Sequence, residues 1–350
     1  MKFQGLSGFA RLTAGAVSAL ALVGFAGVAN AQQKAAATRG VFTVVVDGSS
    51  TVFPISEAAA EKFQAQAAGK VRVTVAESGT GGGFRKFCRG ETHVQGASRP
   101  ITASEMTTCA NSGVRYVELP IAFDALTVVV NPGNPLKEIT VADLKKIWQP
   151  EAQGRITNWK QVNPAFPDQA LSLYGPGAAS GTFDYFTEAV NGKAKASRTD
   201  YTPSEDDNVL VQGVAGDKGG MGYFGMAYYE ANKSRLRALA VNNGKGGVYP
   251  TADAVAKGQY VPLARPIFVY INADALSRKP VADYVNYYLS NGPALAKQVG
   301  YVPLPAAAYT TGLTRVKTKA VGTAFGGKND IGASIEEVLG RKLVALPPPQ

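Results

Sequence analysis

Three stretches of this chain set Ser or Thr beside Gly between an apolar run and a helical pattern: Asp47-Gly-Ser-Ser50-Thr51-Val52, Glu77-Ser78-Gly79-Thr80-Gly81-Gly-Gly83 and Gly175-Pro-Gly-Ala-Ala-Ser180-Gly181-Thr182. A fourth stretch, Gly96-Ala-Ser98-Arg99-Pro100, adds a guanidinium. These are the residue types that hold an oxyanion. Glycine lets the backbone approach closely, hydroxyls donate hydrogen bonds, and a helix start supplies unpaired N–H groups at its positive end. Taken singly, each loop reads equally well as an ordinary turn or a helix cap. Three in one chain, with Arg99 in a fourth, point to a small tetrahedral oxyanion.

Other chemistries lack their parts. A nucleotide-binding P-loop requires a Lys after its second glycine, and the loop at 175–182 has none. The dinucleotide pattern Gly-x-Gly-x-x-Gly fails at both candidates, since Gly79-x-Gly81 is followed by Phe84 and Gly175-x-Gly177 by Ser180. No Gly-x-Ser-x-Gly elbow surrounds Ser78 or Ser180. The chain has one histidine, His93, and two cysteines, so a zinc site would have to combine His93, Cys88, Cys109 and carboxylates. His93 lies on a predicted strand and reads as structural. The run Glu205-Asp206-Asp207 reads as the acid-rich start of a helix rather than a metal site. The expectation is a binding protein with no catalytic residue, metal or cofactor.

The elements that must position these loops repeat one grammar. Val41 to Val46 is a β-branched apolar run, with a helix expected from about Pro54. Val71 to Val75 alternates as a strand, and a helix is predicted over Phe84 to Arg89. A short strand near Val94 precedes the capping box Thr102-x-x-Glu105. Ala125 to Val130 is a buried strand, and Thr140 to Asp143 caps a helix running to Trp148. Further strands are expected at Ala170–Tyr174, Gly220–Phe224 and Pro266–Asn272, with helices from Phe183, over Asp206–Ala215 and over Val281–Leu289. Strands alternating with helices imply an α/β fold with a largely parallel sheet. The segment ending in Leu346-Pro-Pro-Pro349 reads as a frayed tail.

Residues 1–31 hold Lys2, Arg11, no acid, an apolar stretch from Leu12 to Ala29 and the ending Ala29-Asn-Ala31, the pattern of a cleavable signal peptide. The mature chain would begin near Gln32, with no later run long enough to span a membrane. Its formal charge falls from +10 to +8 when Lys2 and Arg11 leave. The remaining Lys and Arg are scattered, which argues against a nucleic-acid stripe. In an exported protein Cys88 and Cys109 read as a disulfide, worth about 3 kcal/mol for a loop of that length. The 350 residues suit one large domain or two lobes.

Together these stretches resemble the phosphate-binding proteins (PstS) of ABC-type phosphate importers. The matching segments are Asp47-Gly-Ser-Ser-Thr-Val-Phe-Pro54, Glu77-Ser-Gly-Thr-Gly-Gly-Gly-Phe84, Gly96-Ala-Ser-Arg-Pro-Ile101, Ser180-Gly-Thr-Phe-Asp-Tyr-Phe186 and Gly219-Gly-Met-Gly-Tyr-Phe224. The resemblance implies a two-lobed periplasmic-binding-protein fold (type II), each lobe a mainly parallel sheet flanked by helices, with phosphate in the cleft. It implies a 32–39 linker, a first lobe from 40–125 and 267–350, an inserted second lobe at 126–266, and crossings at Ile121–Thr127 and Leu263–Val269. It implies phosphate contacts from Ser50, Thr51 and Val52, from Ser78, Gly79, Thr80 and Gly81, from Ser98 and Arg99, and from Ser180, Gly181 and Thr182. The chain departs from the family where many members carry Asp after Gly-Ala-Ser and an Arg before Ser-Gly-Thr; here Arg99 and Pro176 stand instead. Arg99 is thus expected to supply the cleft's charge, and Asp184, Asp206 or Asp207 to accept the phosphate proton. The partners implied are inorganic phosphate and the importer's permease, for a monomeric periplasmic protein that binds no nucleic acid. A receptor for sulfate or molybdate, or a secreted phosphate-ester hydrolase, is the alternative.

Overall fold

The computed structural model describes residues 41–333 and 335–349. The expected leader and the linker at 32–39 lie outside them. From the start, strand and helix alternate: β1 (Phe42–Gly48), α1 (Phe53–Gln66), β2 (Val71–Val75), α2 (Thr80–Phe87), β3 (Val94–Ala97), α3 (Ala103–Asn111) and the long β4 (Tyr116–Val130). The middle continues with β5 (Glu138–Thr140), α4 (Val141–Trp148), α5 (Trp159–Val162), β6 (Ser172–Pro176), α6 (Gly181–Asn191), β7 (Thr202–Ser204), α7 (Asp207–Gly216) and β8 (Gly220–Gly225). Then come α8 (Met226–Ala231), β9 (Arg237–Ala238), β10 (Ala240–Asn242), β11 (Gly247–Val248), α9 (Ala252–Ala256) and β12 (Ala264–Asn272). Four helices end the chain: α10 (Lys279–Ser290), α11 (Gly292–Gln298), α12 (Ala306–Thr318) and α13 (Ile335–Gly340). No helix among the described residues is long and apolar enough to cross a membrane.

The main sheet runs β2-β1-β3-β12-β4-β8-β6-β7, with β9 also on β4. β1 is parallel to β2 and β3, and β6 to β7 and β8, so each half of the sheet is parallel at its outer strands. The two inner strands, β4 and β12, run antiparallel to their neighbours. β4 pairs with β12 from Tyr116 to Ala125 and with β8 from Leu126 to Val130, so one strand passes from one half into the other. The β4–β12 ladder shifts register between Ile267 and Phe268, opposite Ile121 and beside Pro120.

Two elements begin earlier than the sequence predicts. α2 starts at Thr80 rather than Phe84, because Gly81 to Gly83 are helical and not loop. A Cβ at Gly83 would lie 2.1 Å from Gln95 Oε1 and 2.6 Å from Gly48 Cα, so this glycine lets the helix seat against the ends of β1 and β3. α6 starts at Gly181 rather than Phe183, with Ser180 as its cap. β4 is far longer than Ala125–Val130. Glu118, Pro120 and Asp124 interrupt its apolar pattern, yet Glu118 is buried and accepts from the Tyr270 hydroxyl (2.8 Å), the Ala324 N–H (2.8 Å) and Thr323. Both expected capping boxes form, at Thr102/Glu105 and Thr140/Asp143. Cys88 and Cys109 are joined in a disulfide between α2 and α3, in a core cluster with Phe84, Phe87, Tyr116 and Tyr270.

Candidate functional site

The loops after β1, β2 and β6 lead into α1, α2 and α6, helices of 14, 8 and 11 residues. Their N-termini meet at one buried point. Thr51 Oγ1 lies 2.9 Å from Thr182 Oγ1, joining the α1 and α6 ends across the two halves. Thr80 Oγ1 lies 3.2 Å from Ser98 Oγ and accepts the Ser98 N–H at 3.2 Å. A Cβ at Gly181 would sit 2.5 Å from Thr80 Oγ1 and 2.7 Å from Ser98 Oγ, so the missing side chain lets α6 close onto the opposite loops. Thr51, Thr80, Ser98, Ser180 and Thr182 are all buried. Three positive helix ends and a cluster of hydroxyls favour a small anion.

The cation at this point is Arg265, on β12. Its Nη2 donates to Thr182 Oγ1 (2.7 Å) and Thr51 Oγ1 (3.4 Å), and its Nη1 to the Gly181 carbonyl (3.3 Å). Asp124 on β4 receives Nη2 at 3.0 Å and Nε at 3.3 Å, and also accepts the Met226 N–H at 2.9 Å. Arg265 packs over the Tyr185 ring at 5.4 Å. Sequence reasoning missed both partners. The signal was there: each expected crossing holds one charged residue in an apolar strand, and the two charges are opposite.

Carboxylates rim the same place. Ser50 donates to Asp207 Oδ1 (3.3 Å), while Asp207 Oδ2 is buried without a hydrogen-bond partner. Burial first, then Glu77 and Asp124, push the Asp207 carboxyl up to about 8. Glu77 is pushed up to about 7 by burial, Asp206 and Glu57. Near neutrality Asp207 therefore still holds a proton, which suits it to donate to an oxyanion or to share its hydrogen.

The remaining predicted residues divide. Val52 is buried at the head of α1, and Gly79 stands before α2. The Gly81 N–H donates to the Ala179 carbonyl of the other half at 2.8 Å. Ser180 Oγ is turned to its own helix, accepting from Thr182 N–H (3.1 Å) and Phe183 N–H (3.4 Å). Ser78 is drawn off to Asp47 at 2.7 Å. Asp206 caps α7 by accepting the Asn208 N–H at 2.8 Å. His93 accepts the Val45 N–H on Nδ1 (2.9 Å) and faces Arg278 through Nε2.

Arg99 stands differently from its expected role as the cleft's charge. Its Nη atoms fork onto Glu105 at 2.8 and 2.9 Å, Nη1 also reaches the Pro100 carbonyl, and Nε donates to Asp184 at 2.8 Å. The reason is Glu105, which its capping box fixes one turn away. Burial opposes the Arg99 charge, and Glu105 and Asp184 together hold it up.

The sequence matches the PBP-like family, described as a PBP superfamily domain, over residues 33–291. It is 52% identical over 308 residues to Protein SphX of Synechococcus elongatus, spanning 88% of this chain and 90% of that one. It is 38% identical over 277 residues to the phosphate-binding protein PstS of Staphylococcus saprophyticus, spanning 78% and 83%. Among solved structures, that of a possible phosphate binding protein from Planctomyces limnophilus is 46% identical, covers 80% of this chain and 99% of its own, and superposes with a TM-score of 0.59.

Proposed function

The chain belongs to the PBP superfamily and, within it, to the PstS phosphate-binding proteins, and from that premise we propose that it takes up inorganic phosphate between its two lobes and delivers it to the permease of an ABC importer. The fold is the two-lobed periplasmic-binding-protein fold of type II. We take the lobes as 40–125 with 267–350, and 126–266, so that β4 and β12 are the crossings. The protein acts in the periplasm, with residues 1–31 removed, as a binding protein without turnover.

The observation that carries this reading is the meeting of three helix N-termini with Thr51, Thr80, Ser98, Thr182 and the fork of Arg265. Phosphate enters among those groups, taking donors that now serve one another across the cleft. Arg265 supplies the positive charge, aimed by Asp124, and the Gly181 backbone lets α6 approach. Of the three candidate carboxylates, Asp207 is the one left to share a hydrogen with phosphate, because Asp184 is engaged by Arg99 and Asp206 by its own helix.

Calorimetry on phosphate-stripped protein tests this. Tight one-to-one binding of phosphate, much weaker binding of sulfate and no hydrolysis of a phosphate ester are expected. Arg265→Lys keeps a charge beside Asp124 but loses the planar fork, so phosphate binding should weaken by about tenfold or more. Unaltered phosphate affinity in that variant would remove Arg265 from the site, and equal affinity for sulfate would sink the phosphate reading.

A further inference from the structure

Arg99 stands where charge crosses from one lobe to the other. Its fork onto Glu105 is built within the first lobe, and Glu105 is itself held by the Thr102 N–H at 2.9 Å and the Thr102 hydroxyl at 3.0 Å. That fork survives any movement between lobes. The Nε bond to Asp184 does not, because Asp184 belongs to α6, two residues after Thr182. Both Arg99 and Asp184 are buried, at 4% and 3% exposure. The other Asp184 oxygen has no hydrogen-bond partner, and its nearest cation is the exposed Lys195 of its own lobe at 4.0 Å. The Phe84 ring, 5.9 Å from the guanidinium carbon, covers Arg99. The other ties nearby differ in kind: Gly81 N–H to the Ala179 carbonyl and Asn329 to the half-buried Glu188 are neutral donors, and the charged pair Arg265–Asp124 joins the crossing strands β12 and β4 themselves.

We infer that Arg99 is the latch of the closed cleft: held ready by Glu105 in one lobe, it seizes Asp184 of the other and thereby sets how fast the ligand leaves. The inference rests on the reading that phosphate is bound between the lobes. The physical case is preorganisation. Because Glu105 already fixes the guanidinium plane, closure immobilises little that was mobile, and it makes one charge-assisted bond in a dry setting. Opening must break that bond and rehydrate both ions. Such a contact, absent in the open form, acts on dissociation rather than on encounter. Arg99 is then a positioning residue for α6, keeping Gly181 and Thr182 against Thr80 and Ser98.

The test follows release of inorganic phosphate by stopped flow in Asp184→Asn and Arg99→Ala. The distance between spin labels at Glu61→Cys and Lys145→Cys, exposed sites on α1 and α4, is read with and without phosphate. The latch predicts that each variant releases phosphate about tenfold faster or more, with association within about twofold of the parent. It also predicts that the phosphate-free label distances shift to longer values. If Arg99→Ala fails to fold, the nearly isosteric Asp184→Asn carries the test alone. Release unchanged in Asp184→Asn overturns the latch. So does tighter phosphate binding in Asp184→Asn, which would mean that Asp184 holds Arg99 away from the anion. A parent that binds no phosphate defeats the functional reading instead, while the label distances still report on the latch.

Discussion

Asp207 keeps unequal company on its two oxygens, one held by Ser50 and the other facing only buried surroundings. Folded, it retains a proton up to about pH 8; unfolded, it loses it near its ordinary value of 3.8. Between those limits the folded protein binds the extra proton, so the stability it contributes is full in acid and declines as pH rises through this window. Glu77, pushed up to about 7, adds a decline of the same sign. The phosphate-free melting temperature should therefore fall between about pH 4 and pH 8, and Asp207→Asn should flatten that fall. A parent whose melting temperature is level across the range would refute the buried protonated carboxyl. Arg265 and Asp124 pose the opposite problem, two charges that require each other. Removing one partner of a buried pair typically costs about 3–5 kcal/mol, which is why the conservative Arg265→Lys is the informative change.

At the scale of elements, the bridge between Cys88 and Cys109 ties the end of α2 to α3, the helices that follow the glycine loop and the Arg99 loop. Cys88→Ala/Cys109→Ala should lower stability by about 3 kcal/mol, read as a drop in melting temperature that reductant reproduces in the parent. An unshifted melting curve would mean that the bridge constrains nothing. Much at this scale was legible in the sequence. Thr102 with Glu105 and Thr140 with Asp143 announce helix starts through local chemistry, and the apolar run Val41–Val46 announces a covered strand. What was not legible depends on partners far along the chain. The glycines at 81–83 look like a flexible loop until Ala179 comes to lie against Gly81, and Gln95 and Gly48 against Gly83. Glu118 looks unfit for a strand until Tyr270 and Ala324 arrive. The sequence singles out Arg99 and passes over Arg265 for the same reason: Arg99 is engaged by Glu105 and Asp184 and Arg265 by Asp124, and spacing does not reveal which carboxylate each arginine meets.

For the whole molecule, β4 and β12 form one hydrogen-bonded ladder between the proposed lobes, so closure on phosphate should twist β4 against β12 rather than swing on loose linkers. The register shift opposite Ile121, beside Pro120, breaks the regularity of that ladder, and closure should bend it there. Small-angle scattering should record a smaller radius of gyration with saturating phosphate than without, and identical profiles would argue against closure. The same ladder sets a calendar. β3 and β4 are made early, but the strand that fills the gap between them, β12, emerges from synthesis only after the entire second lobe. Until then the first lobe has an empty slot at its centre, while the second, drawn almost wholly from one continuous stretch, has its strands at hand. The proposed anion cradle draws on residues Thr51, Asp124, Thr182 and Arg265, so it can be assembled only once Arg265, about three quarters of the way along the chain, has been delivered.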